Sequence, residues 1–370
     1  MINNAKLQPV GTAVTELDTP AFIIDLEKME NNIDTMAKYC KSANVNLRPH
    51  IKHHKTPEIA AKQIEKGAIG ICCQKLSEAE VMAQSGIENI LITYEIITKF
   101  KINRLMEIGK NANLIVLVDN PNNVKDLDEA SLHFNTNLGI LLDINVGQNR
   151  CGIEPNSTLV ESLSKQIISA PKLQFKGIHG YAGSIQSIAN DEERKKADSL
   201  SMNKAEIALE QLKKLNIPVE IVTAGGTGTY NLTSKYEHVT EIQPGSYVFM
   251  DNQYSNVMSD FDVSGTVLAT VISKPTKNRA VLDSGMKSIS TDQWPPKIKS
   301  HKGITVDTIS DEHLTISLDT EDAKQLNIGD QIELIPGHND TTVNLHTHSF
   351  GIRNGIVESI WSISAHAMTR

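Results

Sequence analysis

Nowhere does this 370-residue chain carry an apolar run near the ~18 residues that a membrane-spanning helix needs, so no span is expected. Its start, MINNAKLQPVGTAVTELDTPAF, lacks a basic stretch followed by an apolar core and does not read as a signal peptide. Cysteine is scarce. The four present, Cys40, Cys72, Cys73 and Cys151, show no framework spacing, and Cys72 and Cys73 are adjacent. Reduced thiols of a cytoplasmic protein are the expectation. Positive charge is also in deficit: 36 Lys and Arg against 44 Asp and Glu give a formal net charge of -8. That argues against nucleic acid or an anionic membrane as the main partner. Internal repeats and low-complexity segments are missing too. What is present is an ordinary globular composition, 39% hydrophobic and 22% charged, long enough for one large domain plus a smaller one.

Eight short apolar runs alternate with helical patterns over the first 250 residues: 46–52, 68–74, 89–95, 113–120, 138–146, 176–183, 218–226 and 239–249. Continuous apolar runs of this length suit strands covered on both faces. Between them, Asp25 reads as the N-cap of a helix with Leu26, Met29, Ile33, Met36 and Cys40 on one face. The stretch 76–86 offers a capping box from Ser77 to Glu80, and 190–216 is a long charged amphipathic stretch. Eight strand–helix units predict an α/β fold built on a (β/α)8 barrel. An open doubly wound sheet would show a Gly-rich turn after its first strand, where this chain has RPHIKHHK. Beyond residue 260, β-branched alternation replaces helical periodicity. The expected division is a barrel over 20–258 and a smaller β-rich domain made of 1–19 plus 259–370.

In such barrels function gathers at the C-terminal ends of the strands. Lys52 ends the first run there, among Arg48, Lys55 and several histidines. That setting disfavours its ammonium and sharpens the amine as a nucleophile towards an aldehyde. Arg150 follows the fifth strand and Tyr181 the sixth. Two glycine clusters, AGGTGT with Gly226, Thr227 and Gly228, and PGSY with Gly245, Ser246 and Tyr247, end the last two strands. Either cluster alone reads as a plain turn. Together they occupy the common phosphate site of this fold. Lys52 and a phosphate site together suit pyridoxal 5′-phosphate. Near the end, His338 and Asp340 stand two apart, sharing one side of an extended strand if the segment is one, and able to chelate an ion.

RPHIKHHK resembles the R-P-H-x-K-x-H-K signature of the D-threonine aldolase and eukaryotic-type D-serine dehydratase family, pyridoxal-phosphate enzymes of fold type III related to the alanine racemase barrel. DINVGQNRCGIEP, TAGGTGTY, QPGSYVFMD, LDSGMKSIS, SDEH and PGHNDTTVNL follow in the family's order over nearly the whole chain. The resemblance implies that Lys52 carries the cofactor, with Lys55 behind it. It places Arg150 at the cofactor's phenolate side and Tyr181 at its ring. Gly226, Thr227, Gly228, Ser246 and Tyr247 would hold the phosphate, and His338 and Asp340 a divalent metal.

The branch it most resembles cleaves D-3-hydroxyaspartate or D-threonine to glycine and an aldehyde. A dehydratase giving an oxo acid and ammonia is the alternative, followed by a racemase and a non-catalytic cofactor carrier. The racemase reading wants a tyrosine from the β-rich domain, and 261–370 contains none. The long β-rich domain argues against a carrier. Dehydratases of the family resemble H-x-C where this chain has His338-Asn339-Asp340, and a carboxylate suits Mg²⁺ or Mn²⁺ before Zn²⁺. Aldolases of this kind often carry a histidine soon after the tyrosine, and Ser187 takes that place here. His179 is expected to point away from Tyr181. A carboxylate substituent on the substrate would need a cation, for which Arg353, His346 and His348 are the neighbours in sequence. The family also implies a homodimer.

Overall fold

A computed structural model describes residues 7–299 and 301–370; residues 1–6, part of the expected 1–19 segment, lie outside the described residues. The chain forms two compact units. One comprises Thr35–Lys52, Pro57–Gly245 and Met368–Arg370; the other comprises the chain up to Asp34, His53–Thr56 and Ser246–Ala367. The earliest strand, β1 (Ala21–Asp25), belongs to the sheet of the second.

The first unit holds β2 (Asn46–Leu47), β3 (Ile71–Cys73), β4 (Asn89–Glu95), β5 (Asn113–Val118), β6 (Leu138–Asp143), β7 (Leu173–Gly180), β8 (Ile221–Ala224) and β9 (Glu241–Ile242). All eight expected runs are strands, paired in parallel in the order β2-β9-β8-β7-β6-β5-β4-β3. The ring closes because the chain stays extended past β2 to His50, which bridges Cys72 of β3. The Ile69 and Cys72 amides donate to Leu47 and Pro49 carbonyls across that seam. Cys72, Leu91, Ile115, Leu117, Leu141 and Ile221 pack into one buried cluster, as the inward-facing residues of a filled barrel do.

The helices follow their local signals, with one exception. Asp25 Oδ1 accepts the Lys28 amide at 3.2 Å and opens the helix Leu26–Ala43. Asn190 caps a single helix, Asp191–Lys214. The capping box expected from Ser77 to Glu80 does not form. Instead Glu78 Oε2 accepts the amides of Gln74 and Lys75 (2.8 and 3.1 Å), and Ser77 Oγ donates to the Arg370 carbonyl (2.6 Å). The N-cap is Lys75 and the helix starts at Leu76, two residues earlier than a Ser77 cap would put it, so the reaching glutamate is the earlier one.

The second unit adds β10 (Gly265–Thr276), β11 (Arg279–Leu282), β12 (Lys297–Ile298), β13 (Ile304–Ile309), β14 (Leu314–Leu318), β15 (Gln331–Ile335), β16 (His348–Arg353) and β17 (Ile356–Ser362). Their order is β13-β14-β11-β10-β1-β16-β17, with β15 joining β10 to β12. β1 runs antiparallel to β10 (Ala21 opposite Leu268) and parallel to β16 (Ile23 opposite Phe350). Leu17, Ala21, Ile23, Leu268, Phe350 and Val357 form its core. Pairing thus puts 21–25 with the β-rich sheet. The run AFIID could not show this by itself, since its partners lie more than 200 residues further on.

Candidate active site

At the C-terminal end of the barrel the ladder runs on past Pro49 to His50, whose amide donates to the Pro244 carbonyl, and the chain then turns. Lys52 therefore sits in the 3-10 turn Ile51–His53, not at the end of a strand reaching 52. His50 shapes that turn. Its Nδ1 accepts the Lys52 amide at 3.2 Å, which leaves Nε2–H to donate to Thr93 Oγ1 at 3.0 Å. Lys52 is half-buried. The expectation that Arg48 adds to the positive field around it is corrected by the ion pairing. Arg48 Nε and Nη2 bind Glu241 Oε1 and Oε2 at 2.9 and 3.1 Å, and Nη1 binds Asn89 Oδ1 at 2.8 Å. Its charge is spent on that buried carboxylate.

Tyr181 follows β7 and Arg150 lies exposed in the loop after β6; with Asp143, Cys151 and His179 they border one small cavity of about 10 Å³. The loop after β8 brings Gly226, Thr227 and Gly228 beside them. A Cβ on Gly226 would stand 3.3 Å from Tyr181 Cε2 and 2.8 Å from Gln186 Oε1, and one on Gly228 would stand 1.9 Å from the Gln186 carbonyl. Both glycines are therefore required by the approach of Gln186, whatever else the loop binds. Gly245 packs on His50 in the same way, its missing Cβ 2.7 Å from the His50 carbonyl. Ser187, the residue in the place of an expected histidine, is exposed.

Sequence reasoning misplaced His179. Residues two apart on a strand share a face, and the His179 and Tyr181 rings do stack, 6.4 Å apart and 28° from parallel. His179 Nδ1 donates to Asp143 Oδ1 at 2.7 Å. Asp143 lies opposite His179 on the parallel strand β6. Behind this pair is Glu95, missed altogether. Burial, then the neighbouring Asp143 and Asp119 carboxylates, push its carboxyl up to about 7. A raised carboxyl keeps its proton in the folded state after the unfolded chain has lost it, so Glu95 lowers stability as pH rises from about 4.5 to about 7. Urea titrations should show Glu95→Gln more stable than the parent at pH 8 and nearly equal to it at pH 4.5. Equal stabilities at both would show that Glu95 ionises as an ordinary carboxylate. Cys151, on the same cavity, is no candidate nucleophile, because burial and the Glu95 and Asp143 charges raise its thiol in spite of Arg150.

The remaining candidates lie in the second unit. Ser246 and Tyr247 follow Gly245 in a buried 3-10 turn, Ser246–Val248, with Tyr247 packed on Phe261 at 5.6 Å. His338 and Asp340 are not on a strand. β15 stops at Ile335, and Gly337 lets the Trp294 carbonyl approach to where a Cβ would be 1.7 Å away. His338 then caps the short helix Asn339–Val343. The two side chains still meet, His338 Nε2 3.8 Å from Asp340 Oδ2. His338 Nδ1 donates to Asp292 Oδ2 at 2.9 Å, and His53 Nδ1 donates to Asp340 Oδ1 at 2.6 Å. Among the described residues no three His, Cys, Asp or Glu side chains gather as a metal cage. Two donors facing each other at this distance fit a hard divalent ion that keeps water or substrate in its other positions. Arg353 is engaged by Glu30 (2.9 Å) and Glu358 (2.7 Å), and His346 Nε2 by the Ser288 carbonyl (2.7 Å).

The comparisons with known proteins bear on the family and the fold. Residues 24–253 match the family model "Alanine racemase, N-terminal domain", and residues 264–352 match "Putative serine dehydratase domain". The chain is 36% identical to D-threonine aldolase of Arthrobacter sp., over 97% of its own length and 96% of that protein's. It is 35% identical to 3-hydroxy-D-aspartate aldolase of Paracoccus denitrificans strain Pd 1222, over 96% and 94%. The crystal structure of D-threonine aldolase from Filomicrobium marinum superposes with a TM-score of 0.95 at 35% identity, covering 98% of this chain and 99% of that one. D-threo-3-hydroxyaspartate dehydratase of Delftia sp. strain HT23 is more distant, 28% identical over 78% of this chain and 76% of its own.

Proposed function

The chain belongs to the pyridoxal-phosphate-dependent family that contains D-threonine aldolase and 3-hydroxy-D-aspartate aldolase, and from that premise we propose that it cleaves a 3-hydroxy-D-amino acid, D-threonine or D-3-hydroxyaspartate, to glycine and acetaldehyde or glyoxylate. The observation that carries the reaction type is Asp340 facing His338 at 3.8 Å. A carboxylate at that place suits Mg²⁺ or Mn²⁺, which leave a hydroxyl attached and acidify it.

Lys52 holds the cofactor through its amine. Arg150 and Tyr181 orient the ring, and the Gly226–Thr227–Gly228 loop with Gly245, Ser246 and Tyr247 takes the phosphate. Fit is supported by the bare edge at Gly226, where a side chain would fill the space beside Tyr181. Bound pyridoxal 5′-phosphate supplies the sink for the electron pair left when a bond to Cα opens. His338 and Asp340 would hold a divalent ion, which would supply acidification of the substrate's β-hydroxyl. His179, fixed by Asp143 against Tyr181, keeps that ring in one orientation. We further propose a barrel domain at 20–258, apart from the strand 21–25 that pairs into the β-rich sheet, a β-rich domain at 1–19 plus 259–370, a homodimer, and a cytoplasmic location. That Cys40, Cys72, Cys73 and Cys151 form no disulfide among the described residues supports the last. Among the described residues no helix is long and apolar enough to cross a membrane.

The test is product identity. D-Threonine, D-3-hydroxyaspartate and D-serine are supplied to chelator-treated protein, with and without Mg²⁺ or Mn²⁺. Activity should vanish on chelation and return with either ion, with glycine and an aldehyde as products. Ammonia and an oxo acid as the main products from every substrate would establish a dehydratase instead.

A further inference from the structure

We propose that Asp292 and His53 are the positioning residues of the divalent-metal site, presetting His338 Nε2 and Asp340 Oδ2 as its donor pair; this rests on reading His338 and Asp340 as the ligands. Each ligand has two possible donor atoms, and in each the other atom is taken by a neighbour. Asp292 accepts from His338 Nδ1 (2.9 Å), which fixes the tautomer and turns the Nε2 lone pair towards Asp340. His53 donates to Asp340 Oδ1 (2.6 Å), which fixes the carboxylate's rotation with Oδ2 towards His338.

The supports are themselves held. Asp292 Oδ1 accepts from Ser290 Oγ (2.6 Å) and Thr341 Oγ1 (2.7 Å). His53 is fully buried, with its ring 5.4 Å from Phe249. Its Nε2 is buried with no hydrogen-bond partner. A buried polar atom left unpaired costs stability, and what this histidine contributes in return is its contact with Asp340. The signature leaves the His53 position open, so the signature does not account for it. Between the ligands, Asn339 is anchored through its amide to the buried Asp251 (3.1 Å). Backbone, imidazole and carboxylate are thus fixed by three separate contacts. Such preorganisation matters most where only two side chains bind the ion.

The test uses cofactor-bearing protein, stripped of metal and titrated with Mn²⁺ while the spin-resonance signal of free Mn²⁺ is followed. The parent should bind one ion per chain. Asp292→Ala and His53→Leu should each weaken Kd by about 10–100-fold. Asp292→Asn keeps an acceptor and His53→Gln a donor, so both should recover part of the loss. Because Asp292 is 38% exposed, its alanine variant still decides the matter if His53→Leu fails to fold. A Kd within about twofold of the parent in Asp292→Ala would overturn the proposal. So would equal losses in the alanine or leucine variants and their conservative counterparts. A parent that binds no Mn²⁺ would instead remove the metal reading beneath it, leaving His338 and Asp340 as an ion pair.

Discussion

Lys52→Ala should leave a folded protein with turnover reduced by about three orders of magnitude or more. The lysine does two things no other residue in the turn can do. On the proposed function its amine would be the covalent anchor and, once released, a base for the substrate. Proton transfer by a positioned group alone accounts for about 10²–10⁴-fold. Stability should change by no more than about 1 kcal/mol, since the side chain is half-buried and the turn is shaped by the Lys52 amide, which alanine retains. Borohydride reduction followed by peptide mapping gives the independent reading: label on Lys52 in the parent and none in the variant. Label on Lys55 would refute the assignment. Lys55 is buried at φ +54°, with its carbonyl bound by the Ala365 amide.

Glu241→Ala should be the most destabilising single change in the barrel. Arg48 is 2% exposed and Glu241 1%, and their two hydrogen bonds are parallel and short. Deleting the carboxylate leaves a buried guanidinium that still donates to Asn89 Oδ1. Breaking a buried pair from one side costs about 3–5 kcal/mol. Replacing both members by apolar residues of similar volume, Arg48→Met with Glu241→Leu, should recover most of that loss, because no charge is then stranded. Urea unfolding of the three proteins measures both effects. A loss below about 1 kcal/mol in Glu241→Ala would mean that water reaches the guanidinium.

The barrel was legible because its information is local and repeated. Each of the eight runs is apolar on both faces, each is followed by a helical period, and short parallel strands with helices between them have few ways to pack. The glycine clusters and Lys52 were legible for a related reason, since they lie at the same end of successive units. Errors arose where one residue decides a local geometry. His50 is the last residue in the ladder, and its ring accepts the Lys52 amide, so Lys52 falls in a turn. Gly337 breaks the segment that would have put His338 and Asp340 on a strand. A two-residue shift in the start of the helix at Leu76 moves its N-cap from Ser77 to Lys75 and its reaching glutamate from Glu80 to Glu78.

The sequence alone determined the alternation of strands and helices, the change to β-rich pattern after residue 260, the acidic balance, and the residue types that mark cofactor and metal chemistry. These depend on composition and on spacings of two to four residues, which a chain displays without folding. Only the tertiary structure decided partners. It paired Arg48 with Glu241, stacked His179 on Tyr181 over Asp143, raised Glu95, carried β1 into a sheet with β10 and β16, and put His53 and Asp292 on the two sides of the His338–Asp340 pair. Those contacts join residues tens to hundreds of positions apart. Burial then sets their charge states and rotations, and burial is a property of the packed chain that no short stretch of sequence contains.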